Sequence, residues 1–239
     1  MALGSQPRWT TQPAAGVGVG VDVGLRDYML RIYNYMASGL ALTGIVAYVF
    51  AGSGFYAQVA QTPLIWVIML APLGLVLWLS YGIGRMQAST AQALFWAYAA
   101  LMGLSMASIF LVFTGTSIAR VFFITAGTFA AMSIYGYTTQ RDLSQFGAFL
   151  MMGLIGIIIA GLVNIFIASS ALQFAISVIG VLVFTGLTAY DTQQIKEMYY
   201  EYDDGSMAGK KAIMGALRLY LDFINLFMML LQLIGVRRD

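Results

Sequence analysis

The sequence predicts an all-α integral membrane protein that crosses the bilayer about seven times. Hydrophobic residues make up 60% of its 239 residues, and charged residues only 9%. An ordinary soluble domain carries about 25% charged residues, so a soluble fold of this length could not cover its surface. The charges are also unevenly spaced, and several stretches without any charge exceed the length of about 20 apolar residues that one span takes.

The charge-free stretches set the number of spans. They lie at 32–84, 86–119, 121–140 and 143–190. The first and the last are each long enough for two spans, and Gly, Ser and Pro residues interrupt the first at 51–63. The last stretch divides near 168–171. The predicted spans lie near 33–52, 63–83, 91–113, 118–138, 145–168, 171–192 and 213–235.

The basic residues predict the orientation of these spans. The tail and the second, fourth and sixth connections hold Arg8, Arg26, Arg31, Arg85, Arg141, Lys196, Lys210 and Lys211. The opposite side has only Arg120 between spans. Because cytoplasmic loops carry the excess of Lys and Arg, the N-terminus is predicted to be cytoplasmic.

The two ends of the chain raise separate questions. Residues 1–24 lack the apolar core of a signal peptide and are predicted to form a mobile cytoplasmic tail before a single transmembrane domain at 25–239. Arg237 and Arg238 would emerge outside after seven full crossings. Either they follow the seventh helix passively, or that helix is re-entrant and returns.

Two absences narrow the chemistry. The chain has no cysteine and no histidine, which excludes disulfides, thiolate metal sites and histidine switches. Any proton chemistry therefore falls to carboxylates. No basic cluster suggests nucleic acid, no cofactor is expected, and the lipid bilayer is the predicted surrounding.

Ionisable residues inside the predicted spans are the candidate functional residues, because buried charge in a membrane is costly and usually functional. Asp191 ends the sixth apolar run, Asp222 lies inside the seventh, and Arg218 precedes Asp222 by one helical turn. One face of the seventh helix carries Arg218, Asp222, Asn225, Met229 and Gln232. A stripe on the sixth carries Thr185, Thr188 and Asp191 or Thr192. The two polar stripes are predicted to face each other.

Simpler interpretations stand beside these. Asp191 could merely terminate its helix at the interface, and Asp222 could merely form an ion pair with Arg218. Arg85 could serve only to fix the topology. Two pairs of small residues are spaced for close helix approach: Gly103 with Ala107, and Gly156 with Ala160.

Two motifs on the last two spans carry a resemblance. They are LTAYDTQQIK at 187–196 and LYLDFINLF at 219–227, supported by LRDYMLRIYNYMASGLALTG at 25–44 and RDLSQFGAFL at 141–150. With these the chain resembles bacterial members of the Bax inhibitor-1 family, also called the transmembrane Bax inhibitor motif family.

The resemblance implies a fold, a location and a function. It implies seven helices with the last one inside a ring of the other six, in the bacterial inner membrane. It implies a pH-sensitive calcium leak channel in which Asp191 and Asp222 form the pH sensor and line the ion path. Arg85 is the nearest match to the arginine that latches to this pair. Two departures from the family pattern are that the second span has no glutamate and that Arg218 lies outside that pattern.

The residues themselves support a weak calcium site at most. Two carboxylates held close in a low dielectric titrate as a coupled pair. Calcium takes 6–8 oxygen ligands, and Asp191, Asp222, Thr188 and Asn225 fall short of that number, so water would complete the shell. Such a site suits a transported ion, which must be released again.

Two other classes remain open. An intramembrane aspartyl protease also places aspartates on neighbouring helices, but its second aspartate lies in Gly-x-Gly-Asp. Here Leu219, Tyr220 and Leu221 precede Asp222, so the chain is not expected to be an enzyme. A non-conducting regulator that binds other membrane proteins, in stress response or quality control, is the alternative function.

Overall fold

The computed structural model describes residues 23–238, and these form nine α-helices. Their bounds are α1 Val23–Gly52, α2 Phe55–Ala60, α3 Leu64–Gly82, α4 Ala88–Met106, α5 Ile109–Val112, α6 Gly115–Thr138, α7 Ser144–Ile167, α8 Ser170–Glu197 and α9 Gly205–Ile234. Within this part of the chain, α1, α3, α4 with α5, α6, α7, α8 and α9 are each long and apolar enough to cross a membrane. The prediction of seven transmembrane helices is confirmed.

Helices are the expected solution for these segments, because lipid offers the backbone no hydrogen-bond partners. The connections between them are short and locally capped. The side chains of Thr114, Ser169 and Asp204 accept hydrogen bonds from backbone N–H groups in the first turns of α6, α8 and α9. Capping of this kind satisfies N–H groups that have no partner within the helix.

Three helices extend beyond their predicted bounds. α1 begins at Val23, α8 runs on to Glu197 and α9 begins at Gly205. The added turns carry charged residues, so they continue the helix past the apolar segment. Val23 and Gly24 of the predicted tail therefore belong to α1, and residues 1–22 of that tail lie outside the described residues.

α9 lies at the centre of the bundle. It packs against α8, α1, α6 and α4, whereas α3 packs on α4 and α7 packs on α8. More of α9 is buried than of any other of the seven spans in the described chain. The central position of α9 agrees with the resemblance. A complete ring of six helices around it stays a prediction, because a groove separates much of α1 from α6.

The seventh helix is unbroken. α9 is continuous for 30 residues, and the residues that follow it pair with the connection between α5 and α6. We call residues 236–238 the C-terminal strap. Phe113 and Arg237 form an antiparallel bridge, and the backbone N–H of Thr114 donates to Val236 at 3.0 Å. The re-entrant alternative is therefore wrong, and Arg237 and Arg238 emerge at the end opposite the α8–α9 connection.

One buried hydrogen-bond junction joins three helices inside the bundle. The hydroxyls of Thr43 in α1 and Tyr220 in α9 lie 2.7 Å apart, and Thr43 also donates to the carbonyl of Ala99 in α4 at 2.8 Å. Tyr220 is fully buried. These bonds fix α1, α4 and α9 at a common level.

The two predicted pairs of small residues behave differently. At Gly103, an added Cβ would lie 2.7 Å from the backbone oxygen of Thr43, so the close approach of α4 to α1 is confirmed. At Gly156, an added Cβ would meet nothing within 4 Å. The prediction of close packing at Gly156 is therefore wrong within this chain.

Candidate functional site

Asp191 and Asp222 meet between the two most closely associated helices. Asp191 lies near the end of α8, and Asp222 lies in the middle of α9. Their carboxyl groups are near enough to interact directly. Asp222 is buried, and Asp191 is half-buried. The structure thus brings together the two carboxylates that the sequence singled out.

Asp222 is not fully satisfied by its surroundings. Its Oδ2 is buried and has no hydrogen-bond partner of standard geometry among the described residues. A buried polar atom without a partner costs free energy, so this oxygen is a favourable place for a proton, a water molecule or a cation.

Arg218 lies beside the pair without closing onto it. Its side chain is exposed, and its positive charge acts on both carboxyl groups. Within residues 23–238, the ion pair that forms joins Lys211 to Asp203 at 2.5 Å and does not involve Arg218. The simple ion pair between Arg218 and Asp222 is therefore not formed. Arg218 acts on the pair as a nearby charge and leaves Asp222 Oδ2 unpaired.

Arg85 does not contact the pair in this structure. It follows α3, is exposed, and forms no ion pair with a carboxylate of the described residues. Its role as a latch stays a prediction.

The two predicted polar lining residues bond mainly to their own helices. The buried hydroxyl of Thr188 donates to the Phe184 carbonyl at 2.8 Å. The side-chain amide of Asn225 donates to the Leu221 carbonyl at 2.8 Å. The hydroxyl of Thr188 and the amide oxygen of Asn225 keep lone pairs that can accept a hydrogen bond or coordinate an ion.

The polar stripe on α8 divides between two neighbours. Asp191 faces α9, as predicted, but the hydroxyl of Thr192 lies 3.4 Å from that of Ser133 on α6. An added Cβ at Gly136 of α6 would lie 2.2 Å from the backbone oxygen of Ala189, so α6 and α8 are in close contact here. The prediction that both stripes face each other is right for the aspartates and wrong for Thr192.

A second polar cluster lies at the other end of the α8–α9 seam. The side chain of Gln232 accepts hydrogen bonds from Gln173 and from Ser177, and Gln173 also accepts one from Asn164 of α7 at 3.1 Å. Between the two clusters, α8 and α9 approach closely where Met229 covers Gly180. Gln232 was visible in the predicted stripe on α9, but its partners Gln173 and Ser177 on α8 were not.

Gln193, whose role was not predicted, holds the loop beside the site. Its side-chain oxygen accepts a hydrogen bond from the N–H of Leu143 at 2.9 Å, and its amide donates to the carbonyl of Arg141 at 2.8 Å. Lys196, one turn on, donates to the carbonyl of Tyr137 at 2.9 Å. The motif at 187–196 therefore ties the end of α8 to the α6–α7 connection as well as carrying Asp191.

The acidic pair can contribute to a metal site but cannot complete one. Among the described residues, no group of three or more Asp or Glu side chains could hold a metal ion. Asp191 and Asp222 supply at most four carboxylate oxygens. A calcium ion at this point would keep several waters, which fits an ion in transit better than one stored by the protein.

Known proteins resemble this chain along nearly its whole length. The family model described as inhibitor of apoptosis-promoting Bax1 matches residues 25–239. The inner membrane protein YbhL of Escherichia coli K12 is 50% identical over 219 residues, which cover 90% of this chain and 94% of YbhL. Protein RP147 of Rickettsia prowazekii is 53% identical over 219 residues, covering 91% of this chain and 93% of RP147.

Proposed function

Because the chain belongs to the Bax inhibitor-1 family, we propose that this multi-pass membrane protein is a pH-sensitive calcium leak channel. The observation that carries the proposal is the contact between Asp191 and Asp222, where Asp222 Oδ2 is buried without a partner. Cation channels commonly use such acidic groups, since a carboxylate can replace part of the hydration shell of the ion.

The proposed gate is the α8–α9 seam at this pair. When the carboxyl groups share a proton, the hydrogen bond between them holds α8 against α9. When both are ionised they repel, and their oxygens become available to calcium. Titration therefore biases the seam between two arrangements, so the leak should increase as the pH rises.

Arg218 modestly shifts the pH at which this change occurs. Its positive charge acts on both aspartates and favours their ionised forms. Because the guanidinium is exposed, solvent screens it and the effect is modest. Arg218→Ala should move the midpoint of the leak profile to higher pH without removing the profile.

Calcium flux into liposomes that contain only the purified protein tests the proposal. We expect a protein-dependent leak that rises between about pH 5 and pH 8, the range over which coupled carboxylates titrate. Asp191→Asn and Asp222→Asn should each flatten this dependence, because either change leaves a single carboxylate. Asp142→Asn is the matched control, since Asp142 is exposed in the α6–α7 connection.

Two results would count against the proposal. A leak whose pH profile is unchanged in both Asp191→Asn and Asp222→Asn would remove the sensor role from the pair. No leak at any pH in that range would favour the non-conducting regulator, because a leak needs no partner protein.

A further inference from the structure

A long groove opens on the side of the bundle between α1 and α6. Its main part encloses about 1060 Å³, and the ring of Phe223 from α9 lies in its lining. A second cavity of about 310 Å³ continues it towards α5, sharing Leu40, Gly44 and Phe122 as well as Phe223 with the first. The groove therefore follows α1 across most of the apolar part of the bundle.

Small side chains create this space. Ala37 and Ala41 line it from α1, and Ala126 and Ala130 line it from α6. An added Cβ at Gly44 would meet nothing within 4 Å. The main part of the groove, about 1060 Å³, is slightly above the range of about 300–1,000 Å³ that is typical of ligand sites. Its walls are almost wholly apolar, as suits a hydrocarbon chain.

One end of the groove is positively charged. Arg26 lines it at the start of α1, and forms no ion pair with the described residues. Tyr137 lines the same end, and Lys196 Nζ lies 5.3 Å from the centre of the Tyr137 ring. Both cations lie at the end of the bundle that carries the α8–α9 connection. Arginine binds phosphate oxygens through two parallel N–H groups. Lys196 does not line the groove and donates to the Tyr137 carbonyl, so it adds only a nearby positive charge.

We propose that this groove binds an anionic phospholipid, with one acyl chain lying between α1 and α6 and the phosphate at Arg26. Charge complementarity selects this occupant. A lipid combines a negative head with a long apolar tail, and the groove combines a positive mouth with an apolar length. The site is separate from the aspartate pair, and it does not depend on whether the protein conducts calcium.

Native mass spectrometry of the purified protein tests the head-group contact. The probes are dioleoyl phosphatidylglycerol and dioleoyl phosphatidylethanolamine, which differ in net charge. We expect one phosphatidylglycerol to be retained in preference to phosphatidylethanolamine. Arg26→Gln should lower that preference about fivefold, the effect of one basic residue near an anionic lipid, and Arg26→Lys should preserve most of it.

Arg31→Gln is the control for charge, because Arg31 is also exposed but lines a different cleft with Asp27. It should retain the lipid as the unaltered protein does. Equal retention of the two lipids by the unaltered protein, or an Arg26→Gln variant that keeps the full preference, would overturn the proposal.

The acyl-chain contact has its own pair of variants on α6. Ala130→Phe should fill the groove and reduce retention of both lipids, whereas Ala131→Phe should leave it unchanged. Ala130 and Ala131 are both exposed, but only Ala130 lines the groove. Unchanged lipid retention in Ala130→Phe would contradict the proposal. A stable dimer of the unaltered protein that Ala130→Phe disrupts would also contradict it, because a second copy of the chain would then occupy the groove.

Discussion

α7 and α9 are both apolar transmembrane helices, yet they occupy opposite environments. α7 has the highest mean hydropathy of the seven spans in the described chain, 2.6, and only 11% of its most apolar stretch is buried. α9 has a mean hydropathy of 1.6, and 56% of its most apolar stretch is buried. The more apolar helix lies outside and the more polar helix inside.

The difference follows from the solvent. Lipid tails are as apolar as leucine, so an apolar side chain gains little from leaving them. A polar group such as the Asp222 carboxyl loses much by facing lipid, and it therefore points inward. Between α7 and α9, the buried carboxyl and the close packing of α9 therefore decide which helix lies inside.

The largest expected effect on stability comes from replacing a glycine of α9 by leucine, compared with the same replacement on α7. At Gly215 of α9, an added Cβ would already lie 3.1 Å from Ile32 and 3.3 Å from Ile195. Gly215→Leu should therefore overpack the centre and lower the free energy of unfolding by about 1–3 kcal/mol. Thermal unfolding of the purified protein measures this.

Gly156→Leu on α7 is the matched variant. Because an added Cβ at Gly156 meets nothing within 4 Å, the leucine should be tolerated or slightly stabilising. Equal destabilisation by Gly215→Leu and Gly156→Leu would contradict the assignment of α9 as an inner helix and α7 as an outer helix.

A smaller effect is expected from the buried hydroxyl of α9. Tyr220→Phe removes the hydrogen bond to Thr43, which lies 2.7 Å away. We expect a loss of about 0.5–1.5 kcal/mol in unfolding free energy, the usual net value of one hydrogen bond. Tyr48→Phe is the control, since Tyr48 is exposed. A Tyr220→Phe variant as stable as Tyr48→Phe would show that this junction does not hold α9.

The third prediction concerns the polar cluster that links the two helices through α8. Gln232→Leu on α9 removes an acceptor used by Gln173 and Ser177, and should cost about 0.6 kcal/mol, the average for such bonds in a membrane. Asn164→Leu on α7 should cost a similar amount. A double-mutant cycle on unfolding should show coupling, and strict additivity would mean that the cluster does not connect α7 to α9.

The smallest effect lies just before α7. The hydroxyl and the backbone N–H of Ser144 hydrogen-bond to Asp142 and hold the pKa of this exposed carboxyl below its ordinary value of 3.8. A pKa that is lower in the folded state stabilises the fold at pH values above the pKa of the same group in the unfolded chain. This stabilisation is lost as the pH falls through the pKa in the folded state. Asp142→Asn should lower the melting temperature slightly at pH 7. The difference in melting temperature between the variant and the unaltered protein should disappear as the pH is lowered. A difference that grows at low pH would contradict the assignment.

The number of spans could be predicted from the sequence because each depends only on a run of residues without charge. Asp222 could be assigned to an inward face for a similar reason, since helical spacing alone groups it with other polar residues of α9, although Gln232 of the same stripe is exposed. The extensions of α1, α8 and α9 escaped this method, because a helix that leaves the membrane can keep its hydrogen bonds while its side chains become charged.

Pairings between distant residues were beyond the sequence. Thr192 bonds to Ser133, and Gln193 bonds to the α6–α7 connection, because of how α6 lies across α8. Spacing within one helix carries no information on which neighbour a face meets. The same limit explains why Gly103 and Gly156 looked alike, although only Gly103 touches another helix.

The central position of α9 has a consequence for biogenesis. α9 is the last of the seven spans in chain order, so a ribosome produces it after the six that lie around or beside it. At about 5–20 residues per second, the earlier spans spend seconds in the bilayer without the helix that supplies Tyr220 and Asp222. During that interval Thr43 lacks its tyrosine partner and Asp191 its carboxyl neighbour, so the nascent protein is most exposed to insertion chaperones and membrane proteases before its seventh span arrives.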